Sequence, residues 1–174
     1  NIMQGIHMLR YPVIFASMVT KGCVESGKSV QQGGAKYSTA GLYITGAANL
    51  ADSIAAIEKC VYEDKDITMD ELIHALDHNF EGEERMRQLL LNKPEKFGND
   101  EAHVDGIYRE MMHFIAEHVQ QWEDARGGLY SFNVHSQTVN VSHGAVCGAT
   151  PDGRLAGEPF CDNASPMMGL DVNG

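Results

Sequence analysis

Basic residues are scarce in this chain: 13 lysines and arginines stand against 24 aspartates and glutamates in 174 residues, a formal charge of -11. Such a surface repels phosphate backbones instead of releasing their counterions, which argues against nucleic acid and anionic membranes as partners. No apolar run approaches the roughly 20 residues that cross a bilayer, so no membrane partner is expected. The start at Asn1 shows neither a basic n-region nor a small-residue cleavage site, and the expectation is a soluble cytoplasmic protein. The four cysteines, Cys23, Cys60, Cys147 and Cys161, include no C-x-x-C pair, which argues against a zinc ribbon or a thioredoxin-like site. Reduced thiols are expected rather than disulfides. Internal repeats and low-complexity tracts are missing too. There is no initiating methionine at position 1, and Asp171-Val172-Asn173-Gly174 carries no helix or strand signal, so both ends read as cuts.

What is present suits one domain: 43% hydrophobic residues over this length suffice for a sizeable core. Pro12 suits a first helical turn, with Val13, Phe15, Ala16, Val19 and Val24 as its apolar face and Gly27 as its stop. Gly33-Gly34 breaks the pattern, and Tyr37 to Thr45 reads as a short strand or strand-like loop. Asn49 is a candidate cap for a helix whose Leu50, Ile54, Ile57 and Val61 align on one face, the expected core. Thr68-Met69-Asp70-Glu71 is a capping box opening a helix that buries Met69, Leu72, Ile73 and Leu76. A short helix near Glu83 to Leu91 ends before Pro94, and Phe97-Gly98-Asn99-Asp100 turns into the longest helix. Its stripe is Val104, Ile107, Met111, Ile115, Val119 and Trp122, closed by Arg126-Gly127-Gly128. Tyr130, Phe132 and Val134 then alternate at strand spacing, Thr150-Pro151-Asp152-Gly153 is a turn, and the last twenty residues read as an ordered loop.

Several groups invite a chemical reading. His74 and His78 stand four apart on one helix, near Glu71 and Asp77, at a spacing that can share a metal, but the glutamate of a zinc protease is missing, and a solvated polar face is the default. His113 and His118 diverge around their helix. Ser142-His143 resembles a nucleophile beside a base, yet adjacent residues on a strand point to opposite faces. Asn140-Val141-Ser142 is a formal sequon without an export signal. Gly33-Gly34 and Gly46 lack the context of a nucleotide loop and read as turns. Met167-Met168 suits an apolar pocket or plain filler, and Glu81 to Glu84 reads as a solvated helix start.

Two blocks carry a family resemblance. The first is Cys23-Val24-Glu25-Ser26-Gly27-Lys28 through Gly33-Gly34-Ala35, Tyr37 and Gly41, into Ala48-Asn49-Leu50-Ala51-Asp52-Ser53-Ile54-Ala55-Ala56-Ile57 and Thr68 to Leu72. The second is Gly148-Ala149-Thr150-Pro151-Asp152-Gly153-Arg154, then Ala156-Gly157-Glu158-Pro159 and Ser165-Pro166. Between them lies Phe97-Gly98-Asn99-Asp100. In this order they resemble the glycyl radical enzymes of the pyruvate formate-lyase type, with likeness over nearly the whole chain.

The resemblance implies an α/β fold: a helix-rich internal part of a ten-stranded β/α barrel, two parallel half-sheets with helices outside, spanning 1-174 and truncated at both ends. It implies a glycyl radical installed by an S-adenosylmethionine-dependent iron–sulfur activating enzyme and passed to a cysteine that abstracts hydrogen from substrate. The family's R-V-S-G-Y radical motif is absent from these residues. Cys23 opens a Cys-Val-Glu sequence like that of the catalytic cysteine, but its context resembles the family's later C-I-E-x-G-K-D-x-x-x-G-G-A segment, so it is read as structural. No residue of the chain is assigned a catalytic or metal role; radical glycine and catalytic cysteine are expected outside it, and the fragment alone is expected to be inactive.

Within the family, Tyr37-Ser38-Thr39-Ala40-Gly41-Leu42 and the apolar Glu158-Pro159-Phe160 to Ser165-Pro166-Met167-Met168 resemble alkylsuccinate synthase catalytic subunits, which add a hydrocarbon carbon to fumarate. Dehydratases, decarboxylases and carbon–nitrogen lyases are the alternative. The substrate-pocket candidates are Tyr37, Ser38, Thr39, Ala40, Gly41, Ser165, Pro166, Met167 and Met168, both segments being expected at the substrate cavity. Partners implied are a hydrocarbon and fumarate, the activating enzyme, and either further copies of the chain or small accessory subunits. Outside the family, a stand-alone helical interaction module and a histidine-dependent metal hydrolase are the readings to set beside it.

Overall fold

A computed structural model describes residues 2–173 of the chain. In order it forms α1 (Ile2–Arg10), α2 (Ile14–Val19), α3 (Cys23–Ser26), a 3-10 turn (Val30–Gln32), β1 (Ala40–Tyr43), α4 (Ala47–Ile57), a π-helical turn (Glu58–Glu63), α5 (Met69–Asp77), α6 (Glu84–Asn92), α7 (Ala102–Val119), β2 (Tyr130–Asn133) and α8 (Val139–Gly144). Strands β1 and β2 pair in a two-stranded sheet. The chain divides into two compact units, one holding residues up to 42 with 113–133, the other 43–112 with 134 onward. Helix therefore dominates a mixed α/β chain.

In the first unit the amphipathic run expected from Pro12 to Gly27 is broken. Helix α2 stops at Val19, and Gly22 adopts φ +99° before α3 begins, a conformation that L side chains rarely adopt. A Cβ at Gly22 would also stand 2.6 Å from the Lys36 amide nitrogen. With the helix interrupted, its apolar stripe loses register: Val13, Phe15, Val19 and Val24 are exposed, not core, while Cys23 is 3% exposed. Cys23 is thus a packed thiol on a short helix. After α7, Asp124 builds the turn that returns the chain to the sheet. Its Oδ1 accepts the amides of Arg126 (2.8 Å) and Gly128 (2.9 Å), and its Oδ2 accepts Arg126 Nε at 2.8 Å. Burial pushes this carboxyl's pKa up, but the bonds from Gly128 and Arg126 outweigh it and hold it below the usual range. Trp122 lies beyond the end of α7 and is exposed. Strand β2 is half-buried at every position, so its alternation marks no dry face.

The second unit is organised by α4, and small residues select its buried face. Ala47, Ala48, Ala51, Ala55 and Ala56 are buried together with Asn49, Asp52 and Ser53. The expected aliphatic stripe is a flank instead: Leu50 is exposed, and Ile54, Ile57 and Val61 are half-buried. Alanines let neighbouring backbone approach closely, so they take the interior and the longer side chains fill the margins. The π-helical turn continues α4 and delivers Cys60 to a core of Ala56, Leu72, Ala75, Phe80 and Leu90. Full burial of Leu72 and Leu90 contributes about 1.5–3 kcal/mol each. A second cluster joins Ala51, Ala55 and Val104, against which Phe97 and Tyr108 stack at 4.2 Å.

The Thr68 capping box forms as expected: its Oγ1 accepts the Glu71 amide at 3.2 Å, and Glu71 accepts the Thr68 amide at 2.7 Å. On α5, however, Ala75 takes the core position expected for Ile73, which is exposed. Lys93 bridges Asp64 (2.7 Å) and Asp66 (2.6 Å), tying the segment after the π-turn to the end of α6. Ser142 and His143 lie on α8, a helix rather than the expected strand, so the strand-based objection to pairing them does not apply, but both are exposed and Ser142 Oγ donates to Val139 O at 3.0 Å.

Candidate functional site

The Thr150 to Gly153 turn closes with Gly153 N–H donating to Thr150 O at 3.0 Å, and it folds Asp152 and Arg154 inward, where they are 2% and 3% exposed. Asp152 Oδ1 accepts the Thr150 hydroxyl and, at 3.4 Å, the Arg154 amide. Its Oδ2 accepts Nδ2 of Asn49 at 2.6 Å, and Asn49 Oδ1 accepts the Cys161 amide at 2.7 Å. Asn49 is therefore no helix cap; Gly46 occupies that place, in a left-handed conformation at φ +79°. Arg154 donates through Nε to Thr150 Oγ1 (3.2 Å), through Nη1 to Leu155 O (3.0 Å) and Glu158 O (2.6 Å), and through Nη2 to Gly148 O. Its guanidinium also lies 4.2 Å from the centre of the Phe160 ring. With their bonds turned on the loop and on α4, Asp152 and Arg154 act as the hub that shapes residues 148–161, not as groups offered to a ligand.

Two further buried ionisable groups lie against this hub. Lys96 Nζ donates to Leu90 O (2.9 Å) and Asp152 O (3.3 Å), and burial pushes its pKa down, opposed by the charges of Asp52 and Asp152. Asp52 is fully buried; its Oδ1 accepts the Phe97 amide at 2.8 Å, while Oδ2 has no partner. Burial raises this carboxyl to about 6, against the Phe97 bond and the Lys96 charge.

The hub supports a groove of about 640 Å3 whose walls are Asn140 and Val141 of α8 and the loop from Glu158 to Asp171. Pro159, Phe160, Pro166, Met167 and Met168 make it apolar; Glu158, Asp162 and Asp171 line it too, and among the described residues no lysine or arginine does. Glu158 Oε2 accepts the Leu155 amide at 3.0 Å, Asp162 Oδ1 accepts the Ser165 amide at 3.3 Å, and Asn140 Nδ2 donates to Phe160 O at 2.9 Å. The loop packs against bare backbone. A Cβ at Gly46 would meet the Phe160 ring at 3.0 Å, and one at Gly98, itself at φ +94°, would overlap the Pro166 ring.

Of the residues expected to line a pocket, Ser165, Pro166, Met167 and Met168 line this groove, Met168 being 93% exposed. Tyr37, Ser38, Thr39, Ala40 and Gly41 belong to the first unit. There Tyr37 is exposed beneath Lys36, whose Nζ is 5.4 Å from the ring centre, and Ala40 and Gly41 open β1, Ala40 buried. Asn49, Asp52, Lys96, Phe160 and Asp162 were not among the candidates. One signal for the first two was available: an Asn and an Asp three apart on an alanine-rich helix share its buried face. The rings of His74 and His78 stack at 4.3 Å, with His78 Nδ1 2.8 Å from His74 O. Among the described residues, no group of three or more His, Cys, Asp or Glu could hold a metal ion.

This fold is a piece of the glycyl radical enzyme barrel. It is similar over 100% of its length to a glycyl radical enzyme from Archaeoglobus fulgidus (TM-score 0.91, 32% identity, 22% of that chain). It is similar to the same extent to the glycerol-bound B12-independent glycerol dehydratase from Clostridium butyricum (TM-score 0.91, 38% identity, 22% of that chain). In sequence it is 35% identical over 173 residues to trans-4-hydroxy-L-proline dehydratase of Clostridioides difficile, covering 99% of this chain and 22% of that protein. The chain belongs to the pyruvate formate lyase-like family, whose model matches residues 1–144. It spans about a fifth of the length of the relatives it matches. Two of these three relatives are named dehydratases and none a fumarate-adding enzyme, so the alkylsuccinate synthase likeness expected from Tyr37 to Leu42 and Glu158 to Met168 is not the one they carry.

Proposed function

We propose that this chain is part of a glycyl radical dehydratase acting on a small hydroxylated substrate, and that the groove holding Ser165 to Met168 lines its substrate site. The observation that carries this reading is the end-to-end likeness to enzymes named for removing water from glycerol and hydroxyproline. The groove adds a second support. Among the described residues its wall carries three carboxylates and no basic side chain, a setting that disfavours a dianion such as fumarate more than a substrate of no net charge, whether a polyol or a zwitterion.

In this reading the radical glycine and the catalytic cysteine are supplied by parts of the protein beyond these residues, the radical being installed by an S-adenosylmethionine-dependent iron–sulfur activating enzyme. That radical would supply a hydrogen-atom transfer from a carbinol carbon of the substrate and its return to the neighbouring carbon; the hydroxyl lost from that neighbouring carbon would take the proton of the remaining carbinol O–H and depart as water, leaving an aldehyde. The chain's part is to shape the groove wall from the Asp152 and Arg154 hub; Tyr37 to Gly41 are proposed as substrate contacts of the first unit.

The test is anaerobic activation of the full-length protein with its activating enzyme. The organic radical is followed by electron paramagnetic resonance, and turnover is assayed with glycerol, 1,2-propanediol, trans-4-hydroxyproline, and fumarate with a hydrocarbon. Loss of water from a hydroxylated substrate is the expected result. Radical formation with only a carbon–carbon adduct to fumarate would overturn the reading.

A further inference from the structure

We infer that Asn49 is a positioning residue for the substrate groove: its amide, held between the Asp152 carboxylate and the Cys161 backbone N–H, sets where the wall from Phe160 to Met168 stands. The inference rests on the dehydratase reading for the identity of the groove. Asn49 lies on α4, the most buried helix of its unit, and is 2% exposed. One end of its amide donates to Asp152 Oδ2 at 2.6 Å and the other accepts from Cys161 N at 2.7 Å, spanning 103 and 112 residues of sequence. Cys161 itself and its neighbours Phe160 and Asp162 line the groove. The amide cannot be turned over, because its NH2 would then face the Cys161 N–H and its oxygen a carboxylate. A side chain without a donor and an acceptor would leave two buried polar groups unpaired.

The same geometry supplies a rescue. Asn49→Asp places a carboxylate beside that of Asp152, two acceptors with no proton between them, unless one takes up a proton. Adding Asp152→Asn to it restores the pattern with the donor reversed. The new carboxylate at 49 accepts from the new amide at 152 and still accepts the Cys161 N–H, while the amide oxygen at 152 keeps the Thr150 hydroxyl and the Arg154 N–H.

In the activated full-length enzyme, we expect Asn49→Asp to raise KM for the hydroxylated substrate by about tenfold or more, with radical content retained and kcat changed less. The exchanged double variant should return KM to within about threefold of wild type, and hydrogen exchange of the peptide containing Phe160 to Met168 should rise and fall in step. A double variant whose KM and exchange stay as perturbed as in the single variant would overturn the inference. So would a KM unmoved in Asn49→Asp while exchange rises, or a loss confined to kcat and thermal stability. Wild-type enzyme that turns over no hydroxylated substrate would sink the dehydratase reading instead; the exchange measurement then still decides the clamp, and an unperturbed peptide in Asn49→Asp would overturn it.

Discussion

Replacing Asp52 with asparagine should stabilise the protein at neutral pH, although it removes a charge beside a lysine. The carboxyl is fully buried, one oxygen has no partner, and its pKa stands near 6 against 3.8 for an ordinary aspartate. Below the unfolded value both states are protonated and nothing is lost. As pH rises through the folded value, the native state must ionise a group that water no longer solvates, so the stability present below 3.8 is gone above about 6. Holding a carboxyl at about 6 instead of 3.8 costs about 3 kcal/mol at pH 7. Asparagine keeps an oxygen for the Phe97 amide and carries no charge, but it forfeits the attraction to Lys96 and puts an NH2 where the unpaired oxygen was, so the net gain is smaller, about 1–2 kcal/mol. Urea unfolding of wild type and Asp52→Asn between pH 4 and 8 measures it. The variant should be the more stable at pH 7, and its advantage should vanish or reverse by pH 4. A variant less stable at pH 7, by an amount that does not change down to pH 4, would show that Asp52 is not raised to about 6 but is already ionised in acid and held by Lys96, refuting the burial argument.

Two other outcomes follow from the packing. Gly98→Ala combines a positive φ with overlap on Pro166, so it should cost about 2 kcal/mol or more and release the Ser165 to Met168 loop, seen as faster hydrogen exchange there. Cys23→Ser should leave radical formation and most turnover intact in the full-length enzyme, because this thiol is packed at the start of α3; complete loss of activity with the radical and fold preserved would make it catalytic.

The elements legible from the sequence are those governed by local chemistry. The Thr68 box, the Phe97 to Asp100 and Thr150 to Gly153 turns, helices α5 and α6 and the start of α7 fall where their capping, turn and periodic residues put them, while α7 ends at Val119, short of the expected Trp122, since the energies of caps and turns are settled within a few residues. The motif blocks likewise identify the family without coordinates. Which helix face is interior is a different kind of question. On α4 periodicity favours Leu50, Ile54 and Ile57, yet alanines, Asn49 and Asp52 are buried, because neighbouring chain segments are free to come closest where side chains are smallest. The break at Gly22 is similar: Lys36 and Gly34, more than ten residues on, fill the space a Cβ needs.

Residue patterns alone thus identify the family and place the capped helices and the turns. Long-range contacts are what bury Asn49, Asp52 and Lys96 against the Asp152 and Arg154 hub and let this hub shape one wall of the groove. The reason is that a buried polar side chain is placed by the partners that compensate its lost water, and those of Asn49 lie more than a hundred residues away.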